Sequence, residues 1–598
     1  MEPYVLGISA MYHNAAAALT CGGEIVAAAE EERFTRIKGD ASFPINAIKF
    51  CLDSAGILPE ALSAVAFYEN VSSKFERILT GIVLNAPKSL PQFVTAMPDW
   101  ITNKLWIENK IRKELGWHGD FYYIPHHLAH AASAYYPSPF DDAAILTVDG
   151  VGEWSALTRG VGEGGKIGIQ KTLDYPNSLG LLYSAFTLYT GFQINNGEYK
   201  MMGLAPYGKP VYEDRIRKEL VNIASDGSFV LNQKYFAYTY GLKTFRPEFE
   251  ALFGRKMRQK GEPIEAFHAD VAASIQAVTN EILLKNAETA RKETGKKNLV
   301  MAGGVALNVT ANGLLRQCRI FDDIWIQPAA GDAGGAIGAA LSTYYNITEA
   351  RKQATETDRM QGAYLGYEIK NESKTDDATL QQLGAVWKTM KEKDLQETAA
   401  KLLSAGKIVG VAYGKAEFGP RALGNRSILA DARDPAMLQK LNMKIKFREG
   451  FRPFAPIVLK EDAGNYFEVE GDSPYMLFTF PVKPERRLPV QTAERVEDTA
   501  SLPRSDIPSV THVDYSARIQ TINENANVFI SGILQAFKRL TGYGILINTS
   551  FNTNNEPIVN TAADAYRCFM RSEIDYLIVG NRFFEKTKQT AKAPKGGW

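Results

Sequence analysis

The chain has 598 residues with 68 basic and 67 acidic side chains, a net charge of +1; 45% of it is hydrophobic and 23% charged. That length predicts more than one domain with well-filled cores, and the balanced charge argues against a broad electrostatic footprint for nucleic acid while leaving room for a local basic cleft. The four cysteines, Cys21, Cys51, Cys318 and Cys568, are isolated with no CxxC pair, which disfavours a disulfide framework and a cysteine zinc ribbon and fits a reducing cytoplasm.

The opening residues, MEPYVLGISA, lack the basic-then-apolar build of a secretion signal, and no apolar run approaches bilayer length, so a cytoplasmic protein with no membrane partner is expected. Tyr4–Ser9, Ala15–Thr20 and Glu24–Glu30 read as three strands around the Gly22-Gly23 turn, followed by a helix over Pro44–Ala55. Pro91–Glu114 reads as an amphipathic helix. The strand pattern returns at Ala143–Val148, Trp154–Arg159 and Lys166–Gln170, which suggests an internal duplication. Phe267–Glu293 has apolar residues at helix spacing and precedes a strand, Asn298–Ala302, that enters the Gly303-Gly304 turn. The polar stretch Arg351–Gln361 marks a domain boundary, beyond which a helix (Leu395–Ser404) and a strand (Ile408–Tyr413) follow; the tail Lys586–Trp598 reads as frayed. The alternation of helices and strands predicts an α/β protein of two domains.

Only seven histidines occur, yet His126, His127 and His130 cluster in PHHLAHAASAYY. Pro125 suits a helix start, which puts His126 and His130 at i and i+4 on one face, a spacing that chelates a divalent ion. Position 127 is His where a zincin needs Glu, so peptidase chemistry is disfavoured. Asp149 closes the second repeat's first strand, and Asp332 sits in AAGDAGGAIGAA, whose small residues let a helix start approach a ligand closely. Two imidazoles and two carboxylates would suit iron(II), manganese or zinc. From HxxxH alone, a metal pair and an ordinary surface pair stay equally open.

GISAMYHNAAAA, VDGVGEW and AGGVALN put small residues at strand-to-turn junctions where backbone N–H groups can meet an anion, although none is a P-loop or a Rossmann turn. In the second half, EFGPRALGNRSILADAR supplies Arg421, Arg426 and Arg433; IKFREGFRPFAPIVL supplies Lys446, Arg448 and Arg452; SVTHVDYSARIQT supplies His512 and Arg518; and LINTSFNTNNEPIV supplies Asn548, Ser550 and Asn552. Arginines held among Gly and Pro in loops suit bidentate clamping of phosphates. Because the overall charge is balanced, the expected ligand is a small phosphate compound, not a polymer.

These motifs, in this order along nearly the whole chain, resemble the O-carbamoyltransferase family that includes the nodulation protein NodU and the tobramycin- and cephamycin-type tailoring enzymes. The resemblance implies an actin-like (ribonuclease H-like, duplicated) N-terminal domain over residues 1–352, similar to the transferase of tRNA threonylcarbamoyladenosine synthesis, and a YrdC-like C-terminal domain over 362–598. It implies that carbamoyl phosphate and ATP give carbamoyl adenylate and pyrophosphate, and that the carbamoyl group then passes to a hydroxyl of a secondary metabolite. On the residue level it implies that Arg421, Arg452 and Arg518, with Ser550 and Asn548, hold carbamoyl phosphate and ATP, Mg²⁺ accompanying the triphosphate. His126, His130, Asp149 and Asp332 would hold Fe²⁺ or a similar ion, and Gly303, Gly304 and Asn308, with Tyr199 and Lys200 as weaker candidates, would bind the adenylate. Lys38 would lie near the carbamoyl and phosphate groups, so that His126, His130, Lys38, Arg421 and Arg452 form the catalytic set. His13 and Asn14 would shape the first loop, and acceptor recognition is expected in insertions such as 70–113 and 172–193. Rival readings are a tRNA-modifying enzyme, which the charge does not favour, a hydrogenase-maturation enzyme, whose cysteine-rich motifs are missing from the sequence, and an actin-like ATP-dependent scaffold, which leaves the arginine-rich half without a task.

Overall fold

The computed structural model describes residues 2–489, 493 and 495–589, so the end of the tail expected to fray lies outside the described residues. Helices and strands mix throughout, and the chain divides into two compact units: Met1–Glu31 with Ala41–Arg359, and Glu32–Asp40 with Met360–Trp598.

The first unit contains two five-stranded sheets. One is built from β1 (Tyr4–Ser9), β2 (Ala16–Cys21), β3 (Glu24–Glu30), β4 (Leu62–Phe67) and β5 (Asp120–Tyr123) in the order β3-β2-β1-β4-β5. The other is built from β6 (Asp142–Val148), β7 (Ser155–Glu163), β8 (Lys166–Asp174), β9 (Asn298–Ala302) and β10 (Asp323–Ile326) in the order β8-β7-β6-β9-β10. In each, the first three strands pair antiparallel and the last two add parallel to the first. The same order and the same directions twice over are the duplication that the repeated meanders suggest.

Four helices surround the functional residues of this unit: α1 (His126–Tyr135), α2 (Ala266–Thr294), α3 (Val309–Gln317) and α4 (Asp332–Thr348). The small residues of α4 let two backbones meet. A Cβ at Gly338 would fall 1.7 Å from the Ala129 carbonyl oxygen of α1, so only glycine permits this approach. Both helices are buried along most of their length. The predicted helix over 91–114 is instead broken at Asn103, into Leu90–Thr102, a single tight turn and Ile107–Leu115.

The second unit is organised on one eight-stranded sheet. Its strands are β11 (Lys388–Thr389), β12 (Val409–Ala412), β13 (Arg426–Ala430), β14 (Ala455–Leu459), β15 (Gln520–Ile522), β16 (Ile545–Ser550), β17 (Tyr576–Val579) and β18 (Arg582–Glu585), ordered β11-β18-β17-β12-β13-β16-β14-β15. Helices α5 (Glu392–Ser404) and α6 (Val528–Thr541) cover it through Leu395, Leu403, Ile530, Ile533 and Phe537, which pack on Val409, Leu429, Ile457 and Ile578. Each fully buried Leu or Phe contributes about 1.5–3 kcal/mol, and the layer fixes the loops at the strand ends. The nine-residue segment Glu32–Asp40 is held here by two guanidiniums. Arg33 donates to the Gly419 carbonyl at 2.8 Å, and Arg36 to the Ile558 and Pro557 carbonyls at 2.7 and 2.8 Å.

Candidate functional site

In the first unit, α1, the turn after β6 and the start of α4 converge. His126 Nε2 lies 3.1 Å from His130 Nε2 and 3.2 Å from Asp149 Oδ2, and both imidazole nitrogens lie within 3.9 Å of Asp332 Oδ1. One ligand atom from each of the four residues falls within 4.8 Å of the others. Both histidines are buried, so they are not the ordinary surface pair that HxxxH leaves open. Charge is what such a cage controls. Burial disfavours the imidazolium of His126, yet the carboxylates of Asp149, Asp332 and Glu153 outweigh it and lift its pKa to about 9. Burial and the neighbouring His126 push His130 down to about 4. Burial opposes the charge of Asp149, but hydrogen bonding to His126 and the nearby imidazoles hold its carboxyl well below the usual range. Two facing imidazole nitrogens and two carboxylate oxygens at this separation fit a divalent cation.

Supporting residues fix the cage. Glu153, which carries no signal of its own within VDGVGEW, accepts from the His126 backbone N–H at 3.0 Å, placing a carboxylate at the N-terminus of α1. Tyr68 packs edge-on to His126 with ring centroids 5.3 Å apart. His127, which the spacing leaves without a role, turns the other way: its Nδ1 lies 2.6 Å from Thr147 Oγ1, and burial pushes it down to about 3. His13 Nε2 comes within 3.8 Å of Asp332 Oδ2, in a loop whose Met11 and Asn14 have positive φ.

The glycine turn meets this quartet. Gly303 has φ 93°, and a Cβ there would fall 2.2 Å from the Val148 carbonyl oxygen; the next residue, Gly304, donates its N–H to Asp149 Oδ1 at 2.7 Å. Asn308 is buried, caps α3 by accepting from the Ala311 N–H at 3.1 Å, and exchanges two hydrogen bonds with Gln276 of α2 at 3.0 and 3.1 Å. Tyr199 and Lys200 lie on the short helix Glu198–Leu204, outside the quartet.

In the second unit, the arginines separate into two kinds. Arg518 is held well below its ordinary range by burial and by Arg421, Arg448 and Arg452, so four guanidiniums share one field. Arg448 also lies over the Phe454 ring at 4.6 Å and donates to Asn442 Oδ1 at 2.7 Å, and Arg452 is 3.6 Å from Glu449. Lys446, buried and likewise pushed down by burial, Arg448 and Arg452, donates to Asn552 Oδ1 at 2.9 Å, to Ser550 Oγ at 3.2 Å and to the Ser550 backbone carbonyl. Asn548 is buried on β16, donates to Gln520 Oε1 at 2.7 Å, and leaves its own Oδ1 without a hydrogen bond among the described residues. Lys38 is paired with Glu32 at 2.8 Å in the segment that joins this unit.

Two arginines expected among the phosphate clamps are structural. Arg426 is fully buried on β13 and spends its donors on the carbonyls of Asn560, Tyr413, Gly414, Asn425 and Tyr367, at 2.8–3.1 Å. Arg433 is forked onto Asp431 at 2.7 and 3.0 Å. Both have their N–H groups directed to acceptors of the chain itself.

The chain matches the family described as Carbamoyltransferase N-terminus over residues 4–341 and that described as Carbamoyltransferase C-terminus over residues 400–586. It is 46% identical to an uncharacterized protein of Synechocystis sp. across 100% of this chain and 98% of that protein. It is 35% identical to nodulation protein NolNO of Sinorhizobium fredii across 96% and 79% of the two chains. It is 30% identical to 3'-hydroxymethylcephem-O-carbamoyltransferase of Streptomyces clavuligerus, across 54% of this chain and 55% of that one. With both halves matched and a cluster of charged side chains in each, the chain belongs to the carbamoyltransferase family and is a carbamoyl-transferring enzyme.

Proposed function

We propose that this enzyme carries out ATP-dependent carbamoyl transfer to a hydroxyl of a small-molecule natural product, in two steps assigned to its two units. The second unit, read as YrdC-like, binds carbamoyl phosphate and Mg·ATP. Atom balance requires water to release phosphate from carbamoyl phosphate; the carbamate oxygen then attacks the α-phosphorus of ATP, and pyrophosphate leaves. In the first unit, read as actin-like from its duplicated sheets, the acceptor hydroxyl attacks the carbonyl carbon of carbamoyl adenylate; AMP leaves, and the hydroxyl proton passes to a base or to water.

The observation that carries the reading is the convergence of Arg421, Arg448, Arg452 and Arg518. Guanidiniums gathered in one field suit a polyanion, and bidentate forks suit phosphate oxygens. Ser550, Asn548 and Lys446 border the same site through strand β16 and its turn, and Lys38 is assigned to the carbamoyl and phosphate end. Mg²⁺ would travel with ATP. The quartet His126, His130, Asp149 and Asp332 fits Fe²⁺ or a similar divalent ion, which when bound supplies Lewis acidity at the transfer centre. The Gly303-Gly304 turn is assigned to the adenylate by the close approach its missing side chains allow, its N–H groups being held by the Ala330 carbonyl and Asp149 Oδ1, whereas Asn308 acts mainly by holding that turn through its cap. The reading places the protein in the cytoplasm, where both nucleotide and carbamoyl phosphate are made; no helix among the described residues is long and apolar enough to cross a membrane. Purified enzyme given carbamoyl phosphate and ATP should release pyrophosphate and phosphate in equal amounts; release of ADP in their place would overturn the adenylate step.

A further inference from the structure

The crossover between β4 and β5 is the part of the first repeat that the two-step reading leaves without a task. The second repeat crosses from β9 to β10 through the Gly303-Gly304 turn and one helix, α3; the first repeat inserts Val71–Leu84, Leu90–Thr102 and Ile107–Leu115 at the equivalent place. The first inserted helix starts beside the metal quartet, because Asn70 donates its N–H, at 2.6 Å, to the same Glu153 carboxylate that holds the His126 N–H.

Two buried cations follow on that helix. Lys74 is neutralised by Glu69 and lies 5.1 Å from the ring centroid of Tyr12, and its charge is favoured by Asp332 of the quartet as well. Arg77 is only 9% exposed; its guanidinium lies 4.9 Å from the Tyr175 ring, with Tyr12, Glu69 and Glu153 as its other electrostatic neighbours. Among the described residues its side chain makes no hydrogen bond and no ion pair, and its Nε is fully buried. A guanidinium whose Nε is buried without an acceptor is disfavoured, and stacking on a tyrosine supplies none. Tyr12, 53% exposed, leaves the neighbourhood open to solvent. A planar, bidentate cation with no hydrogen-bonded partner among the described residues thus stands near the transfer centre.

We propose that Arg77 anchors a negatively charged group of the acceptor alcohol, a carboxylate, phosphate or sulfate, and so orients its hydroxyl beside the quartet. The identity of the reactant rests on the two-step reading above: the turn assigned to the adenylate occupies the equivalent crossover of the other repeat, which leaves the first repeat's crossover for the second reactant. The acceptors taken would then be hydroxy acids or alcohols bearing an acidic ester.

Two measurements on the full-length protein test this. Crystals soaked in selenate should show anomalous density within hydrogen-bonding distance of Arg77 in the wild type and none there in Arg77→Met; selenate at the second unit's arginines with an empty Arg77 would overturn the proposal. Carbamoyl transfer is then compared for glycerol 3-phosphate against glycerol, and for glycolate against ethylene glycol. The wild type should prefer the anionic member by about tenfold or more in kcat/KM, Arg77→Met should bring the ratio close to one, and Arg77→Lys should retain part of it. An unchanged ratio in Arg77→Met would also overturn it, and if none of these alcohols is accepted the selenate soak decides alone. Pyrophosphate release by the wild type, which tests the two-step reading, is independent of both readouts.

Discussion

The quartet of the first unit and the arginine cluster of the second both crowd charge, but they leave opposite remainders. Around His126 and His130 the carboxylates of Asp149 and Asp332 outweigh burial at one imidazole, lifting His126 to about 9, while burial and that neighbour push His130 down to about 4. Negative charge there is met by whatever cation is at hand, a proton or a metal ion. Around Arg518 the electrostatic neighbours are Arg421, Arg448 and Arg452, which together with burial disfavour its charge. A cluster of like charges states the sign of its ligand. The contrast between Arg518 and Arg426 repeats the lesson inside one unit, because Arg426 is closed by five carbonyls and states nothing.

Substitutions can break these contrasts. The largest effect is expected at Arg426: Arg426→Met strands buried carbonyls and should lower stability by about 3 kcal/mol or more, read as a fall in Tm. A neutral result there would return Arg426 to the phosphate clamps. Next, His130→Ala removes a quartet ligand and should reduce carbamoyl transfer by roughly a hundredfold or more while pyrophosphate release continues, since loss of even an outer partner of a metal site costs about 10–100-fold. Equal loss of both activities would mean that the two half-reactions do not separate by unit. Arg518→Met should slow pyrophosphate release by about 10–100-fold and, without phosphate ligands, raise Tm, because it relieves repulsion. A fall in Tm for the ligand-free variant would contradict the field described for the cluster. The smallest effect belongs to Asn308→Ala, which removes the cap of α3 at about 1 kcal/mol and should weaken nucleotide binding only modestly. A loss as great as that of Arg518→Met would make Asn308 a direct ligand.

The duplicated sheets are legible in the sequence because strand periodicity and turn glycines repeat along the chain, and the quartet is legible because HxxxH, a strand-ending Asp and a small-residue helix start each carry a local pattern. Arg421 and Arg426 cannot be told apart there, although they sit in one motif. What separates them is the register of β13, which puts Arg426 opposite Ala412 and within reach of the carbonyls of its neighbours. The second-unit home of Glu32–Asp40 leaves no trace in the sequence for a related reason. Arg33 and Arg36 find partners 386 and 522 residues away, and those partners are backbone carbonyls, which have no residue identity to read. Arg77 gives no sequence signal because its significance lies in the absence of a partner among the described residues, and that is visible only in three dimensions.

The same segment has a practical and evolutionary corollary. Residues 32–40 complete a unit whose remaining residues begin more than three hundred positions later, at Met360. A gene cut at codon 360 would therefore yield a C-terminal fragment short of nine residues, with the Gly419, Pro557 and Ile558 carbonyls stripped of their donors. The two halves are fused by more than a linker: swapping in a C-terminal half from a relative would require exchanging the ERFTRIKGD stretch with it.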